Sequence, residues 1–144
     1  MRNLAAICLL VSLTTVVAAQ NLDVIDARQT IYKGFGKATK PIGGMLKGDT
    51  PFDAAVVKAA LTTYVEGTKK LPALFPDDSK TGHDTEALPG IWAHKEDFNG
   101  RLGKLSADSE AALASITDKA SFMATMPKVL GQCGACHKEY RAKS

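Results

Sequence analysis

The chain has 144 residues, of which 45% are hydrophobic and 23% charged, which suits a single globular domain. Its formal net charge of +3 is small, and no basic run or basic and aromatic patch is present, so nucleic acid is excluded as a partner class. Aromatic residues make up only 6% of the chain, which predicts a modest core.

The first segment, residues 1–19, has the pattern of a secretory signal. Residues 4–17 form an uncharged apolar run, and the small residues that follow allow cleavage near Ala19/Gln20. A membrane-spanning helix would need about 20 apolar residues, so we expect no stable membrane insertion after cleavage. The sequence therefore predicts an exported, periplasmic protein whose mature domain is residues 20–144.

Helical periodicity dominates the mature chain, and no segment has the pattern of a strand. The first helix is predicted from about Leu22 to Lys47, with inward residues recurring at steps of three and four. Pro41 removes a backbone hydrogen bond inside this helix and predicts a kink or break there. The predicted inward face consists of Ile25, Arg28, Tyr32, Phe35, Thr39, Ile42 and Leu46.

Three further helices complete the chain. The second is predicted to begin with Thr50 as its cap and to end near Leu71, and a loop of residues 72–90 follows. The third helix starts near His94, and Asp118 can cap the fourth. Two short connections and one long one predict an all-α fold, an antiparallel up-down-up-down four-helix bundle.

The motif Cys133-Gly134-Ala135-Cys136-His137 lies near the end of the fourth helix. Its residues fall on one face of a helix, and this spacing is the attachment signature of c-type haem. Each thiol would form a thioether with one haem vinyl group, and His137 would be the axial ligand of the iron. The sequence therefore predicts one covalent haem c, bound through Cys133 and Cys136.

Three other interpretations of the two cysteines compete with haem attachment. A redox dithiol normally belongs to a βαβ pattern, which is missing here. A zinc site needs four ligands, and only His83 and His94 remain in the mature chain. A plain disulfide is compatible with an oxidising compartment. The complete five-residue match in an exported chain favours haem.

In an up-down-up-down bundle, the first and fourth helices are antiparallel neighbours. The inward residues of the first half of helix one should then face the haem on the side opposite His137, with Tyr32 the most central. Arg28 is a candidate partner for a haem propionate, and an exposed arginine is the alternative. The methionines at 45, 123 and 126 are interpreted as core fillers rather than as iron ligands.

Four stretches of the mature chain point to one family: Cys-His-x-x-Tyr-Arg at residues 136–141, Arg28-Gln29, Leu-Pro-Ala-Leu-Phe-Pro at 71–76 and Ala-Leu-Pro-Gly-Ile-Trp at 87–92. With them the chain resembles the class II c-type cytochromes, known as cytochrome c′. The resemblance covers essentially the whole mature chain. It implies a four-helix bundle, often a homodimer, with haem tied to the last helix and an iron that is usually five-coordinate.

The resemblance also implies roles for single residues. Low-spin relatives carry a methionine ligand four residues after the arginine, but this chain has Tyr32 there, which predicts an open sixth position. A neutral phenol is a poor iron ligand because its pKa is near 10. Phe35 is expected in the distal pocket, Trp92 against the haem, and Arg141 on the proximal side.

Three functions follow from this site. The first is periplasmic electron transfer with redox partner proteins. The alternative is binding, scavenging or sensing of NO, and also of CO, at the open haem face. A peroxidase would need a positioned acid–base group over the iron, and helix one has no histidine, so we do not expect an enzyme.

Overall fold

The computed structural model describes residues 20–143. This part of the chain contains no strand, and one isolated bridge pairs Ala87 with Arg141. Within residues 20–143, no helix is long and apolar enough to cross a membrane. The predicted signal segment, with Cys8, lies outside the described residues. The helices are α1 (Leu22–Lys47), α2 (Ala54–Lys70), α3 (Gly90–Ala93), α4 (Lys95–Ser115) and α5 (Lys119–Tyr140).

The four long helices α1, α2, α4 and α5 form the predicted bundle, while α3 is a single turn that leads into α4. α1 packs on α2, α2 on α4 and α4 on α5, whereas α1 and α5 have almost no direct backbone contact among the described residues. The fold class is therefore confirmed, and one side of the bundle is left open between its first and last helices. Side chains buried in the core include Ile42, Leu61, Tyr64, Phe98, Leu102, Phe122 and Met126.

The helix ends follow the local sequence with one exception. α1 has the predicted bounds and runs through Pro41 without a break, and Gly48 ends it in the left-handed conformation with φ of 81°. Asp118 caps α5 and forms a capping box with Ser121, as its position predicts. The prediction that Thr50 caps the second helix is wrong, because Asp53 is the cap and accepts hydrogen bonds from the first-turn backbone.

The loop between α2 and α4 is more ordered than the sequence predicts. It contains two short 3-10 turns, Leu71–Leu74 and Asp77–Ser79. Gly82, His83 and Asp84 follow with positive φ values, so the chain turns sharply there. His83 is exposed, as expected, and its Nδ1 lies 2.6 Å from a carboxylate oxygen of Asp26 on α1.

Candidate haem site

The cysteine–histidine motif lies in the last two turns of α5. Cys133 and Cys136 are half-buried free thiols, and partial burial raises the pKa of each. His137 is exposed, and desolvation by neighbouring atoms, together with Arg141, lowers its pKa. Within residues 20–143 no three His, Cys, Asp or Glu side chains are grouped so that they could hold a metal ion.

Two residues of α4 brace this segment of α5. Arg101 donates a hydrogen bond of 3.3 Å to the carbonyl of Ala135, which lies between the two cysteines. Asp97 accepts a 2.5 Å hydrogen bond from the hydroxyl of Tyr140 and a 2.7 Å bond from Arg101. These two donors lower the pKa of Asp97. Asp97 and Arg101 were not predicted from the sequence, although their i, i+4 spacing is typical of a charged pair on one helix face.

Aromatic side chains of α1 and α2 lie opposite the motif. The ring of Phe35 meets Tyr32 edge-to-face at 5.8 Å and Tyr64 edge-to-face at 5.5 Å. The hydroxyl of Tyr64 is 2.7 Å from that of Thr39, and Thr39 donates its own proton to the Phe35 carbonyl. Tyr64 is therefore the donor in the bond to Thr39, so its ring has a fixed orientation.

Tyr32 lies close to the haem-binding motif. Burial raises the pKa of its phenol strongly, and the nearby Cys136 thiol raises it further. Burial also raises the pKa of Tyr64, and the Cys133 thiol makes a smaller contribution in the same direction. Tyr32 and Cys136 are both partly buried against the shared core, and the central position of Tyr32 over the haem stays a prediction.

Arg28 is buried, at 2% exposed, and holds the loop rather than lying in solvent. Its Nη1 donates to the carbonyl of Leu74 at 3.1 Å and to the hydroxyl of Ser79 at 2.8 Å. Its Nη2 donates to the carbonyl of Ser79 at 2.7 Å and to the hydroxyl of Thr85 at 3.0 Å. The alternative of an exposed Arg28 is therefore wrong. Contact with a haem propionate stays a prediction, and only the remaining Nε–H of Arg28 is available for it.

Trp92 completes the surroundings of Arg28. The guanidinium carbon lies 4.7 Å from the ring centre of Phe75 and 5.7 Å from that of Trp92. The indole of Trp92 donates to the carbonyl of Pro76 at 3.0 Å. Arg28 therefore joins α1, the loop and α3, and contact of Trp92 with haem stays a prediction.

Arg141 follows His137 by one turn and forms a 2.5 Å ion pair with Glu86 of the loop. An open cleft of about 420 Å³ lies beside His137 and is lined in part by Arg141 and Lys138. Met126 and Met45 are buried in the core, while Met123 is 42% exposed on α5. The core interpretation thus holds for Met126 and Met45, and Met123 is a surface residue.

The residues present fit a covalently attached haem. Two free thiols and an imidazole share one face of α5, and an aromatic face of α1 lies opposite with no closely packed helix between them. Where two helices of a bundle are not closely packed, their apolar side chains have no partners unless a flat apolar group fills the space between the helices. The donor set matches the haem c signature and not a closed four-ligand metal site.

Comparison with known proteins supports this assignment. Residues 23–141 match the model of the family described as "Cytochrome C'". Cytochrome c′ of Rhodopseudomonas palustris is 49% identical over 98% of this chain and 97% of its own length. Cytochrome c-556 of Agrobacterium tumefaciens is 44% identical over 82% of this chain and 94% of its own.

A solved structure of cytochrome c′ from Rhodopseudomonas palustris superposes on the bundle with a TM-score of 0.83. It is 52% identical in sequence, and the match covers 85% of this chain and 98% of that one. The family match extends from the start of α1 to the end of α5 and includes the cysteine–histidine motif. By sequence and by fold, the chain belongs to the cytochrome c′ family of haem proteins.

Proposed function

We propose that the mature protein carries one haem c, held by thioethers to Cys133 and Cys136, with His137 as the axial iron ligand. When bound, this group supplies a one-electron redox couple and, where its sixth position is open, a site for a diatomic gas. The observation that carries the proposal is the shared face of two free thiols and an imidazole on α5, opposite the aromatic face of α1.

Each neighbouring residue has a definite task in this proposal. Arg101 and Tyr140 hold the motif segment of α5 against α4 through Ala135 and Asp97. Tyr32 covers the side opposite His137, and the buried core beneath it excludes water. A protein environment that is already ordered and largely dry changes little when charge changes, which favours rapid one-electron exchange.

The function that this geometry supports best is electron transfer in the periplasm. The alternative is binding, scavenging or sensing of NO or CO at an open iron face. Tyr32 stands where low-spin relatives have methionine, which favours a five-coordinate iron and therefore supports the gas-binding alternative. We propose no catalytic role, because α1 offers no histidine to move a proton above the iron.

One absorption experiment tests the proposal. The protein is produced with its signal segment in cells that attach haem c, and spectra of both oxidation states are recorded with and without CO. A high-spin spectrum that changes on CO addition would support the open position and the gas-binding alternative. A low-spin spectrum that CO leaves unchanged would remove that alternative, and a colourless protein would overturn the whole proposal.

Removing the thiols tests the attachment. The Cys133→Ala/Cys136→Ala variant is expected to lose all its haem on acid–acetone extraction, because no covalent bond then retains the group. His137→Ala, as the matched control, should keep haem through both thiols while losing its normal spectrum. Mass spectrometry of the denatured chains measures the attachment. Haem retained by the double cysteine variant would contradict the thioether assignment.

The outer face of α1 suggests what kind of redox partner the protein binds. Between residues 27 and 47 the chain has no acidic residue. The lysines on this face are exposed, and none forms an ion pair within the described residues; they are Lys33, Lys37, Lys40 and Lys47. We therefore propose that an acidic partner protein docks on α1. The homodimer is proposed on the family resemblance alone.

Charge reversal on α1 tests this docking face. The Lys33→Glu/Lys37→Glu variant is expected to be reduced about tenfold more slowly by an acidic flavodoxin at low ionic strength, because attraction between the two proteins is lost. Stopped-flow absorption measures the rate. The variant Lys58→Glu/Lys70→Glu makes the same charge change on exposed positions of α2 and should have a smaller effect. Equal slowing by both variants would contradict a specific face.

A further inference from the structure

Gly67 is a buried glycine inside α2, at a site where the backbone does not require glycine. Its φ is in the helical range, and glycine in a helix interior costs about 1 kcal/mol relative to alanine. A Cβ atom at this position would lie 2.3 Å from Cε1 and 2.6 Å from Cζ of Phe35, and 2.8 Å from Cγ2 of Ile31. The glycine therefore permits the Phe35 ring to rest directly on the α2 backbone.

Phe35 also packs against two tyrosines. Its ring packs edge-to-face against Tyr64 on one side and Tyr32 on the other, with interplanar angles of 87° and 89°. Tyr64 is 1% exposed, and its hydroxyl is tied to Thr39, so it has little freedom to move. The Tyr32 side chain has no hydrogen bond to any of residues 20–143, so it is the neighbour that yields when Phe35 moves.

We infer that Gly67 sets the position of Tyr32 through Phe35, and so sets how readily a diatomic ligand reaches the open iron position. This inference rests on the proposed function, since it requires Tyr32 to cover that position. Adding a methyl group at residue 67 forces the Phe35 ring away from α2. The displaced ring presses Tyr32 toward Cys136, where the haem is held, and narrows the approach. Gly67 is thus a positioning residue that acts from α2 without facing the site itself.

The test compares haem-loaded Gly67→Ala with the wild type. We expect CO association to slow about tenfold, since small displacements near a reacting centre change rates strongly. Gly103→Ala is the matched control, because Gly103 is exposed on α4 and a Cβ there meets nothing within 4 Å. Adding Phe35→Leu to Gly67→Ala should restore most of the rate, since the smaller, flexible side chain relieves the two shortest contacts and leaves only the one with Ile31. In a Tyr32→Ala background, Gly67→Ala should no longer change the rate.

A second readout does not depend on gas binding. A crystal structure of haem-loaded Gly67→Ala should show the Phe35 and Tyr32 rings displaced, while Gly103→Ala leaves them in place. Unmoved rings, or rings that move with no change in CO association, would overturn the inference. If the wild type takes up no CO, the gas-binding alternative fails by itself, and the ring positions still decide whether Gly67 controls Tyr32. If Gly67→Ala does not fold, Phe35→Ala tests the same contacts by removing the ring instead of displacing it. This variant should free Tyr32 and speed CO association. An unchanged rate would overturn the inference.

Discussion

Tyr32→Met is expected to convert the haem-loaded protein from a high-spin to a low-spin spectrum. Tyr32 lies on the face of α1 that we propose covers the haem on the side opposite His137, and burial is the main cause of the raised pKa of its phenol. Methionine has similar reach, and its thioether binds haem iron without losing a proton, whereas a buried phenol with a raised pKa stays neutral. The same exchange should abolish CO uptake by the ferrous protein, because the sixth position is then occupied.

Absorption and magnetic circular dichroism spectra of both oxidation states measure this change. Tyr32→Phe is the control, because it keeps the ring and its edge-to-face contact with Phe35 but adds no ligand atom. It should remain high-spin and continue to take up CO. A Tyr32→Met spectrum identical to that of the wild type would mean that residue 32 does not cover the iron, and would remove the main argument for an open position.

Local sequence patterns predicted most of the fold because they reflect local physics. The bounds of α1 follow from residues recurring at helical spacing and from Gly48, which adopts a left-handed conformation at low cost. Asp118 caps α5 because its carboxylate reaches the backbone three residues ahead. At the start of α2 two cap residues compete within four positions, and the sequence alone gave no reason to prefer Asp53 to Thr50.

The candidate site likewise contains residues that local spacing predicts and residues that depend on packing between helices. Cys133, Cys136 and His137 lie within one turn of helix, so their shared face could be read from spacing alone. Asp97 and Arg101 act on that turn from a different helix, more than thirty residues away in sequence. The close approach of Phe35 to Gly67 also joins two helices. Such contacts depend on how the helices are arranged in the bundle, which periodicity within one helix does not determine.

The structure gives Arg28 hydrogen-bond partners that the sequence did not predict. Periodicity placed it on the inward face of α1, which predicted burial, and haem chemistry suggested a propionate partner. In the structure its four terminal N–H groups bind Leu74, Ser79 and Thr85, residues 46 to 57 positions away. The guanidinium therefore replaces the regular backbone hydrogen bonds that an irregular loop lacks, and a buried loop needs such partners to be stable.

Arg28→Met should consequently be among the most destabilising single changes in the chain. It leaves the buried carbonyl and hydroxyl of Ser79 and the partly buried carbonyl of Leu74 without their donor and removes a cation–π contact with Phe75, at a total cost of about 3–5 kcal/mol. Urea denaturation of the haem-loaded protein measures the free energy of unfolding, and hydrogen exchange should show protection lost first in residues 74–85. Both effects have the same origin, the loss of the buried cation that crosses from α1 into this loop and binds three of its residues.

Two controls separate this role from contact with haem. Lys33→Met makes the same exchange of a cation for methionine at an exposed position of α1 and should change the free energy of unfolding by less than about 0.5 kcal/mol. Arg28→Lys keeps the charge but cannot fill four donor positions at once, so its stability should fall between those of wild type and Arg28→Met. If Arg28→Met lost less than about 1 kcal/mol while its reduction potential shifted, the arginine would act mainly on the haem, and the loop would be held by its remaining contacts.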